Sequence, residues 1–420
     1  MQYIINGGKR LQGTVMVSGN KNSVFPCIAA SLLTQEEVIL ENVSQLKDIE
    51  VLIQILKKLG VGVKKDKSNL LIQAKDINQF SLPRDLMTKL RGSIVLVGAM
   101  LARKNKVIFY HPGGDIIGQR SIDTHLEGFK KLGATFKKNN LKLTLQFPEK
   151  TQEEKVSVFL QEASITASEN LILASVLGKK TVLLKNCPIE PHVVDLCKLL
   201  LQMGAKISGV GTNTLEVTGV DKLHGTKFKI GIDYIEVGTY AIAAAITYGR
   251  VKIEGLDYQD LDPVLIPLKN FGVSIEQEES SIVVTSTKLK SHSKLVTNIW
   301  PGFPTDLMSA AIVLATQSRG ISLCHDWMYE GRMFFVDKLI LMGAKIILAD
   351  PHRVLVYGPN KLHGRTLDTP DIRAGMALIL AALVAKGKSI INQVELIERG
   401  YEDVVGKLKK LGADIERVGV

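Results

Sequence analysis

Aromatic residues are scarce in this 420-residue chain, at 5% of the total against 45% hydrophobic overall. Aliphatic side chains must therefore build the core, and little is available for stacking on nucleic-acid bases. There are four cysteines, Cys27, Cys187, Cys197 and Cys324, none of them in a CxxC pair. Cys187, His192 and Cys197 are close in sequence, but their spacing matches no zinc pattern, so ordinary buried thiols in a reduced, cytoplasmic protein are expected, with no metal. Long apolar runs are also missing. The two longest, Ser93–Ala102 and Met376–Ala385, fall far short of a membrane span, and the MQYIINGGKR start has no apolar signal core. Acidic residues are in deficit: 42 Asp and Glu against 53 Lys and Arg give a formal charge of +11. Because the basic residues are spread along the chain, this balance suits small anionic substrates better than nucleic acid.

What the chain does have is repetition. A tag of the form apolar–Gly–small–x–apolar recurs at Gly60, Gly133, Gly204, Gly272, Gly343 and Gly412, with successive glycines 73, 71, 68, 71 and 69 residues apart. Each tag follows an amphipathic run and precedes a β-type stretch, as expected for a helix that ends at a glycine C-cap and leads into a strand. Between the tags, polar residues open apolar, alanine-rich helices that start near Asn20, Leu90, Ser168, Glu236, Thr305 and Asp371. The unit reads helix, strand, turn, helix, strand, and so regular a period means one α/β unit of about 70 residues copied six times. At this length two domains of three units each are expected, with the apolar helices inside and the sheets outside.

Two features point to chemistry. Residues 111–125, HPGGDIIGQRSIDTH, put Pro112, Gly113, Gly114 and Gly118 around Asp115, with Arg120 and Asp123 following. That density of Pro and Gly excludes regular structure and suits a lid. Lys21, Arg91, Asp306 and Arg373 fall at the starts of apolar helices. Asn22, Thr305 and Asp371 read there as N-caps, but a cation at a helix N-terminus is disfavoured by the dipole, and a bound polyanion would explain it.

The strings SGNKNSVFPCIAASLL, PGGDIIGQRSIDTH, WPGFPTDLMSA and IERGYED together resemble the UDP-N-acetylglucosamine 1-carboxyvinyltransferase family, along essentially the whole chain. The resemblance implies the enolpyruvyl-transferase fold: two inside-out α/β domains of three units each, one spanning 21–230 and carrying the loop 111–120, the other joining 1–20 to 231–420. The active site would lie in the cleft between them. It implies transfer of enolpyruvyl from phosphoenolpyruvate to the 3-hydroxyl of UDP-N-acetylglucosamine in peptidoglycan precursor synthesis. These two small molecules are the expected partners, with no cofactor, nucleic acid or membrane, and the sequence is silent on oligomeric state.

Residue by residue, Lys21 and Asn22 resemble the pair that meets phosphoenolpyruvate, Arg120 and Arg399 the arginines on its phosphate, and Arg332 and Arg373 those on its carboxylate. Arg91, the segment Arg120, Ser121, Ile122, Asp123 and Thr124, and the pair Ser164 and Ile165 resemble the nucleotide-side contacts, and Met328 a substrate-binding position. Asp306 resembles the general base. Asp115 takes the place of the lid cysteine that serves as general acid, so catalysis is expected from Asp115, Asp306, Lys21 and Arg399. Lys47, Asp48, Glu190, Asp233 and Glu236 also match charged cleft positions, and surface ion pairs account for them equally well. The chain departs from the family at 164–168, where Ser–Val–Gly–Ala–Thr is replaced by Ser164, Ile165, Thr166, Ala167 and Ser168. Glu162 stands where a lysine is common. A β-branched residue in place of glycine restricts the backbone there. Three alternatives remain open: a 5-enolpyruvylshikimate-3-phosphate synthase-like transferase, a non-catalytic regulatory or nucleic-acid-binding paralogue, and an RNA 3′-phosphate cyclase.

Overall fold

The computed structural model describes residues 1–114, 117–118, 120–148, 155–256 and 261–419. Contacts divide the chain into two units: Met1–Ser18 with Asp115–Gln119 and Ile232–Val420, and Gly19–Gly114 with Arg120–Gly231. Each is built as sequence periodicity requires, with apolar helices at its centre and small sheets around them.

In the larger-numbered unit the central helices are Tyr234–Ile246, Thr305–Gln317 and Ile372–Val384, which pack on one another. Every residue of the first is buried, as are Leu307–Thr316 of the second and Ile372–Leu383 of the third. A helix apolar on all faces can be stable only where every face meets protein. In the other unit Lys21–Ala30 packs on Pro191–Gln202, and Leu96–Lys104 packs on Ile165–Ser175. Gly98 is needed there because a Cβ would lie 2.1 Å from the Asn170 carbonyl oxygen. Among the described residues no helix is long and apolar enough to cross a membrane.

All six tag glycines have left-handed backbones, with φ between 85° and 104°. This is the conformation a helix C-terminus needs and that residues with a Cβ resist. The repeat itself is longer than sequence alone suggests. Arg250–Glu254 pairs in parallel with Gln12–Met16 and antiparallel with Ser281–Thr285, which pairs in turn with Ser274–Glu278. The same four-strand order recurs in five of the sheets. In each, one strand follows the inner helix and a parallel neighbour flanks it, drawn from before that helix in four sheets and, beside Glu37–Glu41, from Thr226–Lys229 at the far end of the unit; the other two lie around the tag. Among the described residues the sixth, formed by Lys106–Phe109, Lys142–Gln146 and Thr135–Asn139, has three strands, with an isolated parallel bridge, Ser81 to Ile108, in the remaining place. The last repeat is completed by the first strand of the chain, Gln2–Asn6, between Lys388–Asn392 and Asp414–Val418. Flanking strands as short as Thr226–Lys229, Lys294–Val296 and Thr366–Asp368 carry too little apolar pattern to be separated from a loop by sequence.

The helix caps differ from expectation at two of three sites. Asp371 is an N-cap, accepting from Arg373 N and Ala374 N at 2.8 and 3.0 Å. Asn22 is already inside its helix, whose cap is Asn20, and Thr305 is the first helical residue after Pro304.

Candidate active site

In the unit that contains residues 232–419, three expected site residues meet. Asp306, in the first turn of Thr305–Gln317, accepts from Arg332 Nη2 at 3.0 Å through Oδ1. Through Oδ2 it accepts from Arg373 Nε at 2.9 Å and Nη2 at 2.8 Å. Both arginine side chains are almost wholly buried, at 2% and 7% exposure, whereas the Asp306 carboxylate is 29% exposed. Burial alone would lower the arginine pKa values, but Asp306, joined by Asp371 and Asp326 around Arg332 and by Tyr401 and Asp233 around Arg373, outweighs it and holds both above the usual guanidinium range. The result is a forked cationic seat with a carboxylate in it, open on the carboxylate side.

Thr305 and Met328 are tied to the same place by Asp326, a fully buried carboxylate that sequence reading missed. Asp326 accepts from the Thr305 hydroxyl at 2.5 Å and from Met328 N at 3.0 Å. Its own backbone is fixed by His352, whose Nδ1–H donates to the Asp326 carbonyl at 2.7 Å and whose carbonyl accepts from Asp326 N. The turn that follows carries Arg332. The signal available in sequence was an Asp placed directly after the apolar strand Gly320–His325, a position where a turn-former is unremarkable. Arg399 is half-buried at the end of the Ile397–Arg399 turn. Ile117 of the loop accepts from Gly331 N at 2.9 Å, beside Arg332. The expected acid Asp115 lies outside the described residues.

Asp233 and Glu236 are buried in the first turn of the helix they open. Asp233 caps it, accepting from Ile235 N at 2.9 Å and Glu236 N at 3.2 Å. Glu236 accepts from Ser18 N at 2.5 Å and pairs with Lys407 Nζ. Burial raises both carboxyls above their ordinary range. Buried structural roles, not surface ion pairs, account for these two.

The unit containing residues 19–231 holds most of the other expected residues, in separate local groups. Lys21 opens its helix, 7% exposed, and donates to Asp48 Oδ2 at 2.7 Å. The protein's own carboxylate therefore supplies the compensating charge that a cation at a helix N-terminus requires, for Lys21 as for Arg373. Asn22 N donates to Asn20 Oδ1 at 2.9 Å. Glu190 sits at the N-cap position of Pro191–Gln202 and is buried. Arg91 donates to the Ser121 carbonyl at 2.9 Å, and the Ser121 hydroxyl donates to Asp123 Oδ2 at 2.5 Å. Ile122 is buried beneath this turn, while Arg120 and Thr124 are half-exposed beside it. Ser164 stands at the N-cap position of Ile165–Ser175 and its carbonyl accepts from Ser168 N; Ser164 and Ile165 are half-exposed.

Between the two segments expected on the nucleotide side lies a second residue that sequence did not flag. His125, 2% exposed, reaches Thr166 Oγ1 through Nε2 at 3.1 Å and Asn170 Nδ2 through Nδ1 at 3.1 Å. Burial, with Arg91 adding to it, drives its pKa down to about 3. A histidine on the apolar stripe with Phe129 and Leu132 was the available signal.

All four cysteines are buried, and burial lifts Cys187 to about 11, Cys197 and Cys324 to about 12, and Cys27 well above the ordinary thiol value. Such thiols are poor nucleophiles at neutral pH.

Residues 5–408 match the family described as EPSP synthase (3-phosphoshikimate 1-carboxyvinyltransferase). The chain is 44% identical over 425 residues to the UDP-N-acetylglucosamine 1-carboxyvinyltransferase of Treponema denticola, covering 99% of each. It is 44% identical over 424 residues, again with 99% of each covered, to the protein of the same name from Borreliella burgdorferi. Among solved structures, the enolpyruvyl transferase NikO from Streptomyces tendae superposes with a TM-score of 0.88 at 23% identity, over 99% of this chain and 98% of that one. EPSP synthase from Acinetobacter baumannii does so with 0.79 at 17%, over all of both chains. These two establish the enolpyruvyl-transferase fold. The family match over nearly the whole chain and the full-length identity of about two residues in five establish the rest: the chain belongs to the EPSP synthase family of enolpyruvyl transferases, together with the UDP-N-acetylglucosamine 1-carboxyvinyltransferases.

Proposed function

We propose that this protein transfers the enolpyruvyl group of phosphoenolpyruvate to the 3-hydroxyl of UDP-N-acetylglucosamine, releasing phosphate, in the cytoplasmic synthesis of peptidoglycan precursors. The observation that carries the reading is the seat of two buried guanidiniums around Asp306. A planar fork of this kind suits a substrate carboxylate, and the residue now occupying it is the one needed as base. The carboxylate of phosphoenolpyruvate takes over Arg332 and Arg373, and Asp306 is thereby released from the pairing that would keep it a weak base.

The chemistry then runs in two halves. Asp306 removes the proton of the sugar 3-hydroxyl, whose oxygen bonds to C2 of phosphoenolpyruvate while C3 takes a proton from Asp115. The tetrahedral adduct loses inorganic phosphate as C3 gives a proton back, which restores the double bond in the enolpyruvyl ether. Lys21, Arg120 and Arg399 neutralise the phosphate as it departs, with Asn22 beside them. Arg91, the segment Ser121–Thr124, Ser164, Ile165 and Met328 hold the nucleotide sugar. Each assigned role needs a group of that charge or hydrogen-bonding capacity at the reacting atoms, and none needs a cofactor.

The test is direct. Protein incubated with both substrates should yield the enolpyruvyl ether of UDP-N-acetylglucosamine, detected by mass spectrometry, in equal amount to the phosphate released. Phosphate without the ether, or neither product, removes the reading.

A further inference from the structure

The Asn170 amide is oriented by its partners. Its Oδ1 accepts from Gly98 N at 2.6 Å, and its Nδ2 donates to the Ile94 carbonyl at 2.9 Å. The remaining proton on Nδ2 points at His125 Nδ1, so that nitrogen must be the acceptor and the ring proton must sit on Nε2. His125 Nε2–H therefore donates to Thr166 Oγ1. This bond ties the Thr166 side chain to the His125 ring. Four elements meet in this buried relay: the Arg91–Val95 turn and the helices Leu96–Lys104, Asp123–Lys131 and Ile165–Ser175. The same helix turn that carries His125 carries Asp123 and Thr124, and the same turn that carries Thr166 follows Ser164 and Ile165.

We propose that His125 is a positioning residue which, through Thr166, locks the Ser164–Ile165 segment against the Arg120–Thr124 turn and so sets the affinity for the nucleotide half of the acceptor. This rests on the acceptor proposed above. The bond from His125 to Thr166 ties the start of the Ile165–Ser175 helix to the neighbouring helix and so restrains the segment that leads into it. Restricting the free state in the bound shape raises affinity by lowering the ordering cost of binding. Neither residue needs to touch the reacting atoms, so the effect should fall on the sugar nucleotide and spare phosphoenolpyruvate.

Thr166→Val keeps shape and removes the acceptor, leaving a buried Nε2–H without its partner. Thr166→Ser keeps the hydroxyl. The Val variant should raise both the KM and the calorimetric Kd for UDP-N-acetylglucosamine about tenfold or more, with the KM for phosphoenolpyruvate unchanged and kcat within about threefold. The Ser variant should restore most of the affinity. Nitrogen-15 NMR of the histidines should show His125 protonated on Nε2 in the wild type. Wild-type binding with an unaffected Val variant, equal loss for both substrates, or a proton found on Nδ1 would each overturn the relay alone. A wild-type protein that binds no UDP-N-acetylglucosamine would overturn the acceptor assignment and the relay with it.

Discussion

Removing the Asp306 carboxylate should move three observables in different directions. In Asp306→Asn the amide oxygen can accept from one guanidinium, but the amide NH₂ then faces the other, and the three N–O contacts of 2.8–3.0 Å cannot all survive. Breaking a fully buried ion pair from one side costs about 3–5 kcal/mol. Because Asp306 is 29% exposed, solvent reduces this, to roughly 1–3 kcal/mol here. For a unit of this size each kcal/mol lowers the melting temperature by about 2–4 °C, so a fall of several degrees is expected in calorimetry. Turnover should drop by about 10²–10⁴, the usual worth of a general base. Binding of phosphoenolpyruvate should tighten, by about fivefold if about 1 kcal/mol of competition for the arginines is relieved. Titration calorimetry on the folded variant reads this last effect. Phosphoenolpyruvate affinity that falls along with turnover would refute the displacement of Asp306 by substrate, and near-normal turnover would remove Asp306 from the mechanism.

Other outcomes follow from the same geometry. His125 is neutral in the fold with a pKa near 3 against 6.5 unfolded. Its contribution is therefore complete above about pH 6.5 and is lost at about 1.4 kcal/mol per pH unit as pH falls from there toward 3; acid unfolding of His125→Gln should show a shallower pH slope. Lys21→Ala removes a partner of Asp48, itself 4% exposed, and should cost roughly 2–4 kcal/mol in denaturant unfolding. Adding Asp48→Ala should recover most of that stability without recovering turnover. Asp115 can hand over a proton but is a far poorer nucleophile than a thiolate, so the wild type should turn over in the presence of fosfomycin without a covalent adduct. Asp115→Cys should gain time-dependent inactivation by that epoxide, read by mass spectrometry.

The parts of the molecule legible in sequence are those where local chemistry dictates conformation. Gly60 and its five counterparts could be read as helix ends because only glycine takes φ near 90° cheaply, and the all-apolar runs such as Tyr234–Ile246 could be read as interior because no surface would tolerate them. The strand that opens each sheet was not legible. Gln12–Met16 pairs with Arg250–Glu254 across more than 230 residues, and no local pattern reports so distant a partner. The site divides in the same way. Charge placement picked out Lys21, Arg91, Asp306 and Arg373, but not that Asp48 and Asp306 would satisfy the buried cations. Asp306 is 26 residues from Arg332 and 67 from Arg373. Asp326 and His125 stayed hidden because each acts by fixing a neighbour, and a lone polar residue beside an apolar strand or on an apolar helix face looks the same whether or not it does so.

The central claim is the identity of the acceptor, and one paired turnover measurement tests it most directly. Phosphate release from phosphoenolpyruvate should be followed with UDP-N-acetylglucosamine and, separately, with shikimate 3-phosphate, at matched concentrations of each. The account predicts steady turnover with the sugar nucleotide and none above background with the shikimate ester. Turnover with shikimate 3-phosphate and none with UDP-N-acetylglucosamine would contradict it.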